Sequence, residues 1–303
     1  MRIVSLVPAG TEMVAALGLG SSLVAVTHDC DFPPEVRALP RVTHSTIAAG
    51  ASGRAIDTAV REAAAKGEST FHLDGDALRA ADPDVIIGQT LCAVCAVTLE
   101  ALPATLRARV VRLEAASLDG MFDDLARVAG ALGVKGRGAD LAASLWIRLD
   151  TVRRTVEGVT RQRVACLEWL DPLFNGGHWV PEQVALAGGE DILGRPRERS
   201  RELAFEELRR ADPDVLVLMP CGFGVDRAAT EAEILMARDE WTSLRAARQR
   251  RVYVVDGAAH FSRPGPRLVD GVEVLASLLH PDRAVPAQAG SMRHVASYTS
   301  RTN

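Results

Sequence analysis

The residues of this 303-residue chain that could do chemistry fall in a few short segments. Cys92 and Cys95 form a Cys-Ala-Val-Cys pair, and His28 stands two positions before Cys30. Thiolates and imidazoles of this kind build tetrahedral zinc or iron sites, and a Cys-X2-Cys opening a helix lowers a thiol pKa for redox work. The same side chains serve equally well as small polar groups lining a pocket, and one such pair without a second does not define a metal centre. No metal is therefore assigned, and His28, Cys30, Cys92 and Cys95 are the candidates if one binds. His178 and His260 could each give an axial nitrogen to a cobalt or iron centre, or simply bond a loop carbonyl. Arg263, in Phe261-Ser262-Arg263-Pro264, has the fork that grips a carboxylate or phosphate, unless it pairs ionically at the start of the last helix. Glu168 and Asp171 flank Trp169 but lack a partner set for acid–base work. No Walker loop, Gly-X-Ser-X-Gly elbow or His-Glu-X-X-His motif occurs, and Gly18-Leu19-Gly20 ends a helix where a dinucleotide fingerprint would open one.

The elements that must position these residues show as a repeat. Leu78-Arg79-Ala80-Ala81-Asp82-Pro83-Asp84-Val85-Ile86-Ile87 returns as Leu208-Arg209-Arg210-Ala211-Asp212-Pro213-Asp214-Val215-Leu216-Val217, at an offset of 130 residues. That is too long for a solenoid and right for two similar lobes. In both copies a helix ends near Ala-Asp, proline forces the preceding residue out of the helical region, and an apolar run enters a buried strand. Strands over 3–7, 85–87 and 110–113 match strands over 163–167, 215–217 and 252–255. Helices over 11–19, 118–132, 181–187 and 267–279 alternate with them, with a further helix after each Asp-Pro-Asp strand. The expected fold is α/β: two Rossmann-like lobes with parallel sheets. They are joined by one long helix over 139–157, whose apolar residues Leu141, Leu145, Leu149, Val152 and Val156 recur at helical spacing. Residues 1–136 form the first lobe, 137–158 the connecting helix, 159–281 the second lobe and 282–303 a flexible tail.

Ligands of open parallel sheets sit outside the carboxyl ends of the strands, so the loops of both lobes are expected to pool into one inter-lobe cleft. Only 4% of the chain is aromatic, yet Phe32, Trp169, Phe174, Trp179, Phe223 and Phe261 fall in these loops, which suits a flat, largely apolar ligand. Trp146 on the connecting helix is expected to pack against a lobe, and Trp241 to be core. Net charge is −4, with 35 Lys+Arg against 39 Asp+Glu, which argues against a dedicated nucleic-acid binder. No apolar stretch reaches the roughly 18 residues of a membrane helix. The opening Arg2-Ile3-Val4-Ser5-Leu6-Val7 reads as a first strand and not as a secretory leader. Five cysteines do not suggest a disulfide framework. As written the chain is expected to be cytoplasmic, and periplasmic or on the extracellular face if its start is truncated.

Ser5-Leu6-Val7-Pro8-Ala9-Gly10-Thr11-Glu12, the Ala-Leu-Gly-Leu-Gly helix end that follows, and Val24-Ala25-Val26-Thr27-His28-Asp29-Cys30-Asp31-Phe32-Pro33 resemble the cobalamin and iron-chelate substrate-binding proteins of ABC importers. Asn175-Gly176-Gly177-His178-Trp179-Val180-Pro181-Glu182 and Ala187-Gly188-Gly189 are similar to that family's second lobe, so the resemblance covers about residues 1–280. It implies a non-catalytic protein that binds a corrinoid or related metal chelate between its lobes, with an ABC permease as partner. The residues expected to contact ligand are Pro8, Thr11, His28, Cys30, Phe32, Gln89, Cys92, Trp169, Phe174, His178, Trp179, Phe223, His260, Phe261 and Arg263. No cofactor is required, and a monomer is expected. The alternative is a cytoplasmic thiol- or metal-dependent enzyme, a transferase or chelatase, using His28, Cys30, Cys92 and Cys95.

Overall fold

The structure, a computed structural model, describes residues 1–89, 99, 102–103, 106–285 and 287–295. The chain divides into two compact units, Met1–Leu145 with Pro264–Pro266, and Trp146–Arg263 with Arg267–Asn303.

In the first unit, β1 (Ile3–Ser5) leads into α1 (Pro8–Ala16), with Pro8 in the first helical turn, where its missing N–H costs nothing. There follow β2 (Leu23–Val26), β3 (Thr43–Ser45), α2 (Gly53–Ala65), β4 (Phe71–Leu73), α3 (Gly75–Ala81), β5 (Val85–Gln89), β6 (Arg109–Leu113) and α4 (Leu118–Ala131). The main sheet has the order β2-β1-β5-β6, and every pairing is parallel. β3 and β4 form a separate antiparallel ribbon. Val4, Ala25 and Ile86, on adjacent strands, are fully buried and pack with Leu78 of α3. Side-chain oxygens start three of the helices: Ser52 caps α2, Asp74 caps α3 and Ser117 caps α4, each accepting from an N–H of the first turn.

The long helix is α5 (Lys135–Thr155). It begins four residues before the sequence expectation and contains Gly136 and Gly138. Gly138 is there for packing, because a Cβ on it would sit 2.4 Å from the Ala129 side chain on α4. Leu145, Leu149 and Val152 are buried, as the periodicity implied. Trp146 departs from expectation: it is 46% exposed, and Ile147 beside it 67%.

The second unit contains β7 (Gln162–Leu170), β8 (Leu173–Asn175), α6 (Val180–Leu186), β9 (Gly189–Asp191), β10 (Glu202–Leu203), α7 (Phe205–Ala211), β11 (Val215–Leu218) and α8 (Val225–Met236). After these come α9 (Arg245–Arg248), β12 (Val252–Val255), α10 (Gly257–His260), α11 (Leu268–Leu279) and β13 (Met292–His294). β9, β7, β11 and β12 run parallel, while β8, β10 and β13 add antiparallel edges. β7 is long enough to pair with β9 along its first half and β8 along its second. The sheet is thus parallel at its centre and mixed at its margins, a pattern common in large sheets. The stretch expected to be a flexible tail contributes β13, whose residues are all exposed. Backbone pairing with β12 holds it, and a strand so held needs no apolar periodicity to announce it.

The repeat is matched down to its hydrogen bonds. Asp82 and Asp212 each end a helix in the left-handed conformation, at φ 42° and 41°, which Asp tolerates better than most residues. In the first unit Arg2 donates through Nη2 to Ala81 O (2.8 Å) and through its backbone N–H to Asp84 Oδ2 (2.7 Å). In the second, Arg163 donates in the same way to Ala211 O (2.7 Å) and Asp214 Oδ2 (3.1 Å). Each arginine lies at the start of its unit's first strand, Arg2 just before β1 and Arg163 second in β7, and satisfies a carbonyl that the departing helix leaves without a partner. The first-unit helix expected after Asp-Pro-Asp falls largely outside the described residues.

Candidate functional site

In the first unit the segment after β2 is fastened to α1 and to itself. Thr11, fully buried, shares a 3.0 Å hydrogen bond between its Oγ1 and Cys30 Sγ. Arg41 donates from Nη1 to both Thr27 O and Cys30 O, each at 3.0 Å. His28 bonds Thr43 Oγ1 of β3 through Nδ1 (2.7 Å) and stacks on Phe71 of β4 at 5.2 Å. Burial pushes the His28 imidazole below its ordinary pKa; Asp29, 3.6 Å from Nε2, opposes this, while His44 and Arg41 add to it. His28 is therefore neutral at pH 7 and held by the ribbon. Pro8, at the start of α1, and Gln89, at the end of β5, are half-buried. Phe32 presents the largest apolar surface of the loop, 40% exposed.

His28 and Cys30 are thus engaged by different partners, Thr43 and Thr11, and do not converge. Cys92 and Cys95 lie outside the described residues. Among the described residues no group of three or more His, Cys, Asp or Glu is arranged to hold a metal.

In the second unit the aromatic residues divide. Trp169, half-buried near the end of β7, lies against Phe223 at 5.4 Å. The Arg227 guanidinium covers the Phe223 ring at 3.6 Å, so Phe223 is only 4% exposed. The Trp169 indole N–H is shielded from solvent and has no acceptor among the described residues. Trp179 is 5% exposed and donates from Nε1 to Phe261 O at 2.7 Å. His260 is buried beside it, sharing a 3.2 Å hydrogen bond with Ser291 Oγ. Burial lowers the His260 pKa, against the raising effect of Asp270 and Asp256. Gln183, fully buried, donates from Nε2 to His260 O (3.1 Å) and Leu268 O (2.8 Å), fixing this cluster to α11.

The expected ligand contacts differ in how much surface they present. Thr11, Cys30, Trp179, Phe223, His260 and Phe261 are buried, and the Thr11–Cys30 and Trp179–Phe261 hydrogen bonds hold their segments together. The aromatic concentration in these loops has two causes, because a loop packed on a sheet end needs anchors as much as a ligand needs a platform. Pro8, His28, Phe32, Gln89, Trp169, Phe174, His178 and Arg263 retain accessible surface. Arg41 and Gln183, which set the loop geometry, escaped the sequence reading because a side chain bonded to distant carbonyls leaves no local pattern.

His178 is distinctive. It sits in the left-handed region at φ 54°, as does Arg197 at φ 68°. The two are joined through backbone groups: His178 N–H donates to Glu198 O (2.6 Å) and Arg197 N–H to His178 O (2.8 Å). Burial and the nearby Arg199 charge push the His178 pKa down. Non-glycine residues in this region cost free energy and concentrate at functional sites.

The periodic pairing of β-α units and these strand-end loops agree with what comparison with known proteins finds. The periplasmic binding protein family matches residues 3–259 of the chain. The chain belongs to the periplasmic binding protein family. A relative within it is the ABC transporter substrate-binding lipoprotein YvrC of Bacillus subtilis, 23% identical over 290 residues, covering 93% of this chain and 80% of that one. The periplasmic heme-binding protein RhuT of Roseiflexus sp. RS-1 superposes with a TM-score of 0.70 at 24% identity, covering 92% and 98% of the two chains. The vitamin B12-binding protein of Vibrio cholerae is 51% identical over 47 residues, 15% of this chain and 17% of that one. Its solved structure, BtuF, superposes with a TM-score of 0.64 at 22% identity over 92% of this chain and 96% of that one. At these identities the structural matches establish the fold. These periplasmic binding protein relatives are described as binding proteins, not as enzymes, and the thiol- or metal-dependent enzyme alternative finds no support among them. Their descriptions as periplasmic or lipoprotein also leave the cytoplasmic expectation unsupported.

Proposed function

We propose that the chain binds a corrinoid of the cobalamin type, or a related metal chelate, without covalent chemistry, and passes it to an ABC permease. The observation that carries this reading is the 51% identity over 47 residues with the vitamin B12-binding protein of Vibrio cholerae, more than twice the 23% identity over most of the chain with the Bacillus subtilis relative. Phe32 in the first unit and Trp169 in the second give partly exposed rings at the carboxyl ends of parallel strands, the position where ligands of such sheets sit. Flat rings supply stiff contact area at low entropic cost. The Trp169 indole N–H, without an acceptor among the described residues, costs about 1–3 kcal/mol as it stands. In the second unit, His178, held neutral and left-handed, and Arg263 offer an imidazole nitrogen and a guanidinium.

Purified protein titrated with cyanocobalamin, dicyanocobinamide and heme, followed by tryptophan fluorescence and ligand absorbance, tests the reading. Saturable quenching by the corrinoids is expected, with the quenching amplitude reduced in Trp169→Phe. Saturation by heme alone would replace the corrinoid by a porphyrin chelate, and no saturation by any of the three would overturn the proposal.

A further inference from the structure

A cavity of about 240 Å3 lies wholly within the second unit, between Asn175 at the end of β8, the turn after β9 and the segment that leads into β10. Three arginines line it, Arg195, Arg199 and Arg201, against one carboxylate, Glu198. Arg201 is committed to Glu207 at 3.0 Å, whereas the Arg195 guanidinium has no hydrogen-bond or ion-pair partner among the described residues.

The walls are built, not loosely draped. Asn175, 3% exposed, donates from Nδ2 to Gly176 O (2.9 Å) and Leu193 O (3.4 Å), and its Oδ1 accepts from Arg201 N–H (2.8 Å). One side chain thereby ties together the three segments that form the cavity. Asp191 Oδ1 accepts from Leu193 N–H (3.0 Å) and Gly194 N–H (2.8 Å), which fixes the turn below Arg195. The segments approach at backbone distance, since a Cβ on Gly177 would lie 2.3 Å from Ser200 N and one on Gly194 would lie 2.6 Å from Gly176 O. The left-handed His178 and Arg197 add two backbone hydrogen bonds to the same seam. Four arginines alternate along it, Arg195, Arg197, Arg199 and Arg201. A flexible loop could leave such charges dispersed in water; here rigid backbone concentrates three of them around one concavity.

We propose that this cavity is an oxyanion site that takes a phosphate or carboxylate group, with Arg195 and Arg199 as its principal donors. Guanidinium forks bind such groups through paired, charge-assisted hydrogen bonds, and a preformed wall lowers the ordering cost of binding. The site stands independently of the corrinoid reading. The group it takes comes either free from solution or on a larger ligand, such as the nucleotide-loop phosphodiester that cobalamin carries and cobinamide lacks.

Calorimetric titration with inorganic phosphate and with citrate, at constant ionic strength, tests it. The wild-type chain should saturate with at least one of them. Arg195→Ala and Arg199→Ala should each weaken binding about tenfold, and the Lys variants should restore it only in part. Arg153→Ala/Arg210→Ala, which removes two exposed arginines elsewhere, should leave the affinity unchanged. Absence of saturation in wild type, or equal loss in that control, would overturn the site. If phosphate competes with cyanocobalamin but not with dicyanocobinamide, the group is ligand-borne; if it binds without affecting either, it is a free anion. Failure of both corrinoids to bind would overturn the proposed function while the phosphate titration still decides the oxyanion site.

Discussion

Asp191 illustrates how the second unit fixes its loops with ionisable side chains. Burial pushes its carboxyl up to about 6, against the lowering effect of the Gly194 and Leu193 N–H groups, and its Oδ2 has no hydrogen-bond partner among the described residues. Because the folded-state value lies above that of an ordinary Asp, Asp191 favours folding while protonated and loses that contribution as pH rises through about 6. Asp191→Asn keeps the Oδ1 acceptor and removes the charge. It should therefore stabilise the protein by on the order of 2 kcal/mol at pH 8 and have little effect near pH 4. Thermal melts across that range would show the two curves diverging between pH 4 and 7; parallel curves would contradict the assignment. The histidines follow the same physics with opposite sign. His28 and His178 are pushed down chiefly by burial, so both should titrate below the ordinary imidazole value in a proton NMR titration. They then offer neutral nitrogens at pH 7.

At the scale of elements, the close approach of the two loops in the second unit depends on Gly177. Gly177→Ala would drive a Cβ into Ser200 N and the Arg199 carbonyl carbon. These are backbone atoms that cannot swing aside, so a loss of about 3 kcal/mol or more is expected. Hydrogen exchange should localise the lost protection to residues 192–201. The second half of α5 is tied to α11 by Arg148, which bonds Asp270 and both oxygens of Glu273. Arg148→Ala leaves two partly buried carboxylates unpaired and should cost about 1–2 kcal/mol, measured by urea denaturation. Much of this architecture was legible in advance. The Asp-Pro-Asp repeat located α3, β5, α7 and β11, because proline, a left-handed Asp and an apolar run each leave a local mark. The Arg2 and Arg163 clamps were not legible, since each arginine reaches a helix end dozens of residues away. Nor was β13, whose pairing with β12 and Arg293–Asp226 ion pair both depend on partners far along the chain. Nor was the bond from Trp179 Nε1 to Phe261 O legible, since it joins residues 82 positions apart.

The whole molecule is a mildly acidic α/β protein of two units, and among its described residues no helix is long and apolar enough to cross a membrane. Its family membership accounts for the duplicated β-α plan and for loops gathered at the carboxyl ends of parallel strands. Such a protein needs surface at those loops more than reactive groups, and the described histidines and cysteines are largely occupied by neighbours. Equilibrium dialysis of the purified chain against cyanocobalamin tests the central claim most directly. The account predicts saturation at one corrinoid per chain, with a Kd of about 1 µM or tighter. Total cyanocobalamin remaining equal on both sides of the membrane at about 100 µM would contradict it.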